Sequence, residues 1–235
     1  MRTLIEKIKK FGIQLLSVDR IRFYVCKIRY FFLKKNLKYQ DSKDAAVLSY
    51  AVSHNLSALD QDCAYGMEKR MSLVLYPSVA LLREKGKLAS CLIIGPRTED
   101  DILWAWSLGL KNTRGLDLFS YSPYIDVGDM HHMSYKNDSF DLVILGWVLA
   151  YSSSPLSALT ECFRVCKPGG YVAIGMDSIS DDLYDPDHPM DIPGFTNSFI
   201  NIPEVEKLVN LKAIFTHQEN FKDNGHAYSA IIFKK

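Results

Sequence analysis

Cys91 to Ile102 reads CLIIGPRTEDDI, and the fold turns on this stretch. An apolar run of strand length stops at Gly95, and a helix begins a few residues later. Thr98 stands at the N-cap position, and Asp101, three residues on, completes a box-like start. Glu99, Asp100 and Asp101 fill the first helical turn, where they favour the helix dipole. A strand, a glycine turn and a helix make the opening unit of an α/β domain.

The same texture continues to either side of this unit. KLASCLIIG is a strand and EDDILWAWSLGL a helix; TRGLDLFS is a strand ending in an acid. SFDLVILGW is a buried strand, and SPLSALTECFRVCKPGG is a helix closed by Pro168 and the glycines after it. YVAIGMD is a further strand. This alternation predicts a parallel sheet with helices on both faces. LKAIFTHQEN and HAYSAIIFKK are strand-like runs joined through Asn224-Gly225, a turn signal, so the last strand is expected to run antiparallel.

Residues 1–86 read as a basic helical extension and 87–235 as the main domain. Leu4, Ile5, Ile8, Phe11, Leu15 and Leu16 fall at helical spacing. So do Ile21, Tyr24, Val25, Ile28, Phe31 and Phe32. SKDAAVLSYAVSHNL and MSLVLYPSVALLREKG are further helices, with Pro77 expected to kink or split the second and Gly86 to stop it. The net charge of +1 hides an asymmetry: residues 1–43 carry +9 and the remainder −8. Two uses of residues 1–40 stay open, a cap packed on the domain and a helix lying on an anionic membrane surface.

The five cysteines are odd in number and scattered, which suits a reducing compartment and no disulfide framework. Cys162 and Cys166 read as packing residues, and no metal site is expected. No signal peptide is visible, and IRFYVCKIRYFFL is too short and too charged to span a bilayer. A cytoplasmic protein is expected, peripheral at the inner membrane surface if the basic arm docks there. Oligomeric state has no signature.

The acids after Gly95 repel a diphosphate, which argues against NAD, FAD and ATP. An adenosine without phosphate fits better. S-adenosylmethionine has a sulfonium, an ammonium and one carboxylate; its tail can lie over Gly95 while Arg97 meets the carboxylate. Asp117 ends the second strand 22 residues after Gly95, where a carboxylate accepts from ribose hydroxyls. Asp129 can accept from an adenine amino group while Met130 packs on the ring.

With these residues in place the chain resembles the class I S-adenosylmethionine-dependent methyltransferases over residues 88–235. The resemblance rests on CLIIGPRTEDD, GLDLFSYS, GDMHHMSYKNDSFDLVILGWVLAYSSSP and ALTECFRVCKPGGYVAIG. It implies a Rossmann-like α/β fold, a seven-stranded, mostly parallel sheet with an antiparallel C-terminal hairpin. The family turn reads acid-x-Gly-x-Gly-x-Gly. Here Ile93 holds the acid position, Arg97 and Glu99 replace the later glycines, and Glu99 is a candidate for the missing acid.

Methyl transfer from a sulfonium is an in-line displacement, so alignment matters most. A hydroxyl acceptor also needs a base, for which His131 and His132 are candidates. Tyr151 stands where such enzymes contact substrate, and Trp147 either walls the pocket or packs in the core. Residues 177–197, DSISDDLYDPDHPMDIPGFTN, have room to form a lid, and Asp185, Asp187, His188 and Asp191 lack the spacing of a metal site. The acidic body and the absence of an Asn-Pro-Pro-Tyr-like sequence argue against nucleic acid. The expected activity is O-methylation of a small molecule or of a sugar or lipid-linked glycan. A relative that kept the fold as a non-catalytic scaffold remains the alternative.

Overall fold

The structure is a computed structural model that describes residues 10–40, 68–83, 88–179, 201–220 and 226–235. After a helical stretch over residues 10–15, the elements run α1 (Asp19–Leu33), β1 (Lys38–Tyr39), α2 (Glu68–Leu81), β2 (Ser90–Ile94), α3 (Asp100–Ser107) and β3 (Asn112–Asp117). There follow β4 (Phe119–Ser120), β5 (Ile125–Val127), β6 (Phe140–Gly146), α4 (Pro155–Val165) and β7 (Cys166–Ile179). The chain closes with α5 (Ile202–Val209), β8 (Phe215–Gln218) and β9 (His226–Lys234).

A seven-stranded sheet has the order β5-β3-β2-β6-β7-β9-β8. β2, β3, β5, β6 and β7 pair in parallel, and β9 runs antiparallel between β7 and β8. The all-apolar centre of β2 follows from its place in the middle: every residue from Ser90 to Ile94 is buried, as a parallel strand covered on both faces requires. Two apolar layers flank the sheet. One joins Leu92, Ile94, Val143 and Leu145 to Leu159 and Cys162 of α4 and to Val205 of α5. The other joins Cys91, Ile93, Leu142 and Ile144 to Met71, Val74 and Leu75 of α2 and to Ile102 and Trp104 of α3.

Several expectations are corrected. α2 is not split at Pro77 and continues as one helix to Leu81; packing of Val74, Leu75 and Leu82 in the core outweighs the lost N–H. α4 ends at Val165, before Pro168, and Cys166 already belongs to β7. Ile125–Val127, covered by none of the expected strands, is the edge strand β5, and Lys38–Tyr39 pairs with Phe119–Ser120 in a separate two-stranded sheet. α5 has no counterpart in the sequence reading; its Asn201–Glu204 capping box and Pro203 mark its start. Cys162 and Cys166 are both fully buried packing residues. The helix expected at SKDAAVLSYAVSHNL, Gly86, Asn224-Gly225 and residues 180–197 of the expected lid lie outside the described residues, while residues 177–179 of that lid belong to β7.

Candidate active site at the carboxyl ends of the strands

Strand order reverses direction between β2 and β6, and in an open α/β sheet the crevice beyond that point is where ligands bind. The turn after β2 and the segment after β6 border it. Each contains a residue in the left-handed region: Arg97 at φ +53 and Trp147 at φ +58. A bulky residue there is a strained placement, held only where the surroundings fix it. Trp147 is fixed by its N–H donating to Gly175 O at 2.9 Å and by its ring lying against Gly175. It is buried in the core layer, and the Arg70 guanidinium stacks on it at 5.0 Å.

The glycine of the turn has a local explanation. Gly95 sits at φ +68, and a Cβ on it would collide with Cγ1 of Val148. Packing against Val148 therefore demands glycine at this position whether or not a ligand passes over it.

The acids of the α3 start part company. Asp100 is buried and accepts from Arg22 Nε of α1 at 2.9 Å. Glu99 is fully buried, bonded by Arg29 and by the Ser122 hydroxyl. Both face α1, so Glu99 does not stand in for the missing acid of the turn, and two of the three charges expected to repel phosphate are neutralised. Asp101 has Arg22, Arg70 and Arg97 within electrostatic reach; burial and the nearby Asp100 push its carboxyl up to about 7. The N-cap is Glu99, one residue later than expected, while the Thr98 hydroxyl accepts from Asp100 N–H at 3.1 Å.

Asp117 ends β3 beside this turn. It is 9% exposed, and the Arg97 N–H donates to its Oδ2 at 3.0 Å. Bonds from the Arg97, Leu118 and Phe119 amides favour the charged form, yet burial outweighs them and raises the carboxyl to about 6. Arg97, Tyr151, Asp117, Asp101 and Arg70 thus share one electrostatic neighbourhood; burial holds the Arg97 guanidinium below its usual range, Tyr151, Asp117 and Asp101 oppose this, and Arg70 adds to it.

Asp129 follows β5, and Gly128 N–H donates to Asp117 O at 2.9 Å, which sets the two acids on neighbouring chain ends. Asp129 Oδ1 accepts from His131 N–H at 2.8 Å and lies 2.6 Å from His131 Nδ1. The His131 bonds hold the Asp129 carboxyl below the usual carboxylate range. Nε2 of His131 lies 2.6 Å from the Ser152 hydroxyl, which is buried. A carboxylate can only accept, so Nδ1 carries a proton, and in the neutral ring Nε2 accepts from Ser152. His132 is exposed, and Met130 is half-buried against the core layer that holds Leu116 and Met133. Sequence reasoning missed Arg70, Asp101 and Ser152. Arg70 lies 25 residues before Gly95 with no motif around it, and Ser152 is one of three consecutive serines.

The strand order, with β9 alone reversed, decides the fold. The fold is that of the class I methyltransferases. Residues 109–174 match the family model described as a methyltransferase domain. Among solved structures, the chain is similar to the 1,6-didemethyltoxoflavin-N1-methyltransferase of Burkholderia thailandensis, solved with 1,6-didemethyltoxoflavin and S-adenosylhomocysteine, at 15% identity and TM-score 0.59, covering 85% of this chain and 94% of that one. It is also similar to a protein from Galdieria sulphuraria named as a candidate sarcosine dimethylglycine methyltransferase, at 14% identity and TM-score 0.54, over 68% of this chain and 83% of that one. The trans-methyltransferase CalH in complex with S-adenosylhomocysteine is similar at 12% identity and TM-score 0.53, over 67% of this chain and 54% of that one. A search of curated proteins found no match.

The residues at this end of the sheet suit an adenosine with an amino-acid tail. Arg70 and Arg97 could meet a carboxylate, Asp101 an ammonium, and the under-compensated Asp117 a pair of hydroxyls. The Arg97, Leu118 and Phe119 amides already bonded to Asp117 compete with such hydroxyls. Among the described residues no group of His, Cys, Asp and Glu could hold a metal ion.

Proposed function

We propose that this domain transfers a methyl group from S-adenosylmethionine to a hydroxyl of a small molecule, a sugar or a lipid-linked glycan. The observation that carries the reading is the mixed-charge neighbourhood of Arg70, Arg97, Asp101 and Asp117 at the carboxyl ends of β2 and β3. S-adenosylmethionine, when bound, supplies a methyl on a sulfonium that leaves as a neutral thioether. The chain's own work is then to hold, orient and deprotonate. Gly95, Arg97 and Asp101 border the tail, Asp117 takes the ribose, and Asp129 with Met130 borders the base. Asp129 orients the His131 ring so that Nε2 is its accepting atom, and Ser152 sits where a proton is handed on. His132 and Tyr151 border the acceptor side. The buried free cysteines suit a reducing compartment, and we place the protein in the cytoplasm on that ground.

Calorimetry with S-adenosylhomocysteine tests the reading. The parent protein is expected to bind, and Asp117→Ala to weaken binding by at least about tenfold, the scale of one lost charge-assisted bond. Affinity should rise from pH 5 to pH 7, because a carboxylate that titrates near 6 must be charged to accept from hydroxyls.

The second reading, a scaffold that kept the fold, is favoured by Val148 against Gly95 and by the Arg97 amide on Asp117. Absence of binding of both S-adenosylmethionine and S-adenosylhomocysteine at millimolar concentration would decide for it.

A further inference from the structure

α1 docks on the domain by its polar side. Arg22 is fully buried; its Nε donates to Asp100, and its guanidinium stacks on Trp104 at 4.6 Å. Cys26 is buried in a small cluster with Leu16 and Leu103. Arg29 lies one turn further and pairs with Glu99.

Helix residues advance by about 100° each. Ile21, Tyr24, Ile28, Phe31 and Phe32 therefore share an arc on the far side from Arg22 and Cys26. They are 37, 62, 58, 66 and 66% exposed. An ordinary surface helix buries its apolar stripe; α1 instead buries Arg22 and Cys26 and leaves its apolar stripe exposed. A continuous exposed apolar surface of this kind marks a place of contact.

The charges around the arc choose the occupant. Arg20 and Lys27 border it, Lys10 precedes it, and Lys34, Lys35 and Lys38 follow it, all exposed. The one carboxylate between residues 10 and 40 is Asp19, which pairs with Arg22. A second copy on this face would bring lysines and arginines against lysines and arginines. An anionic lipid surface complements both parts, taking the aromatic and aliphatic side chains at its interface and the cations at its headgroups.

We infer that α1 is a membrane-surface helix that seats the protein on an anionic bilayer through Ile21, Tyr24, Ile28, Phe31 and Phe32. The seat is rigid, because Arg22 and Arg29 fasten it to the first turn of α3, the element that starts at the candidate site. The inference stands on exposure and charge and does not depend on methyl transfer.

Vesicle co-sedimentation of the full chain tests it, with phosphatidylcholine alone and with phosphatidylcholine mixed with phosphatidylglycerol. The parent protein should pellet with the mixed vesicles and remain in solution with the neutral ones. Phe31→Ser/Phe32→Ser and Lys34→Glu/Lys35→Glu should each lower partitioning by about tenfold or more. These side chains are exposed, so both variants should melt like the parent. Failure of the parent to pellet with anionic vesicles, equal pelleting with neutral ones, or undiminished binding by both variants overturns the inference. So does a shift from dimer to monomer in light scattering on Phe31→Ser/Phe32→Ser, which would assign the face to a second copy. Calorimetry with S-adenosylhomocysteine reports on the site independently of either result.

Discussion

Gly95 is a residue whose presence a family comparison credits to a ligand and whose neighbours credit it to packing. At φ +68 with Val148 where a Cβ would go, it is fixed by the fold. Gly95→Ala should destabilise the protein by about 3 kcal/mol, combining backbone strain with overpacking. Val148→Ala in the same chain should recover part of that loss in urea titrations; equal stability of Gly95→Ala and the parent would return the glycine to the ligand. Asp117 makes a pH prediction. Its carboxyl lies near 6 in the fold against 3.8 as the ordinary value. Between those values the folded state holds the proton that the unfolded chain releases, so this group lowers stability as pH rises, at up to about 1.4 kcal/mol per pH unit. Below about 4 both states are protonated and the effect vanishes. Asp117→Asn should therefore gain on the parent from pH 4 to pH 7 in urea-derived stability, and a constant difference would contradict the burial argument.

Among elements, the contact between α1 and α3 was the least legible in the sequence. The acids of α3 looked like a solvated helix start because local pattern shows only neighbours. Their partners, Arg22 and Arg29, stand 78 and 70 residues away. The apolar spacing of α1 was visible, but spacing does not say which face meets the domain. A buried ion pair is costly to break from one side. Arg22→Met should cost about 3 kcal/mol by leaving Asp100 buried and unpaired, and Arg22→Met/Asp100→Leu should recover much of it; additive losses in a double-mutant cycle would deny the coupling. Pro77 shows the same limit. Its breaker propensity was plain in the sequence, and the tertiary contacts of α2 overrode it.

At the scale of the molecule, the extension and the sheet form a joined structure. α1 is clamped to α3, β1 pairs with β4, and α2 covers one face of the sheet. Removal of residues 1–40 would strand Glu99 and Asp100 without their cations and β4 without its partner. Scanning calorimetry of that shortened chain should show a Tm lower by about 5–10 °C, the equivalent of a few kcal/mol in a chain of this size. An unchanged Tm would mean that α1 adds nothing to the domain's stability. No helix of the described residues is long and apolar enough to cross a membrane.

The sequence alone carried the parallel α/β architecture, the antiparallel end and the placing of Gly95 and Asp117 at strand ends, because apolar periodicity and turn residues are local properties that the chain cannot hide. Only the tertiary structure decided what those residues touch. It gave Glu99 and Asp100 to α1, left Asp101 beside Arg70 and Arg97, tied Asp129 to His131 and Ser152, and turned the aromatic side of α1 outward. Such pairings depend on contacts between distant segments, and a charge that looks solvated in one dimension finds its counter-charge only when the chain has folded back on itself.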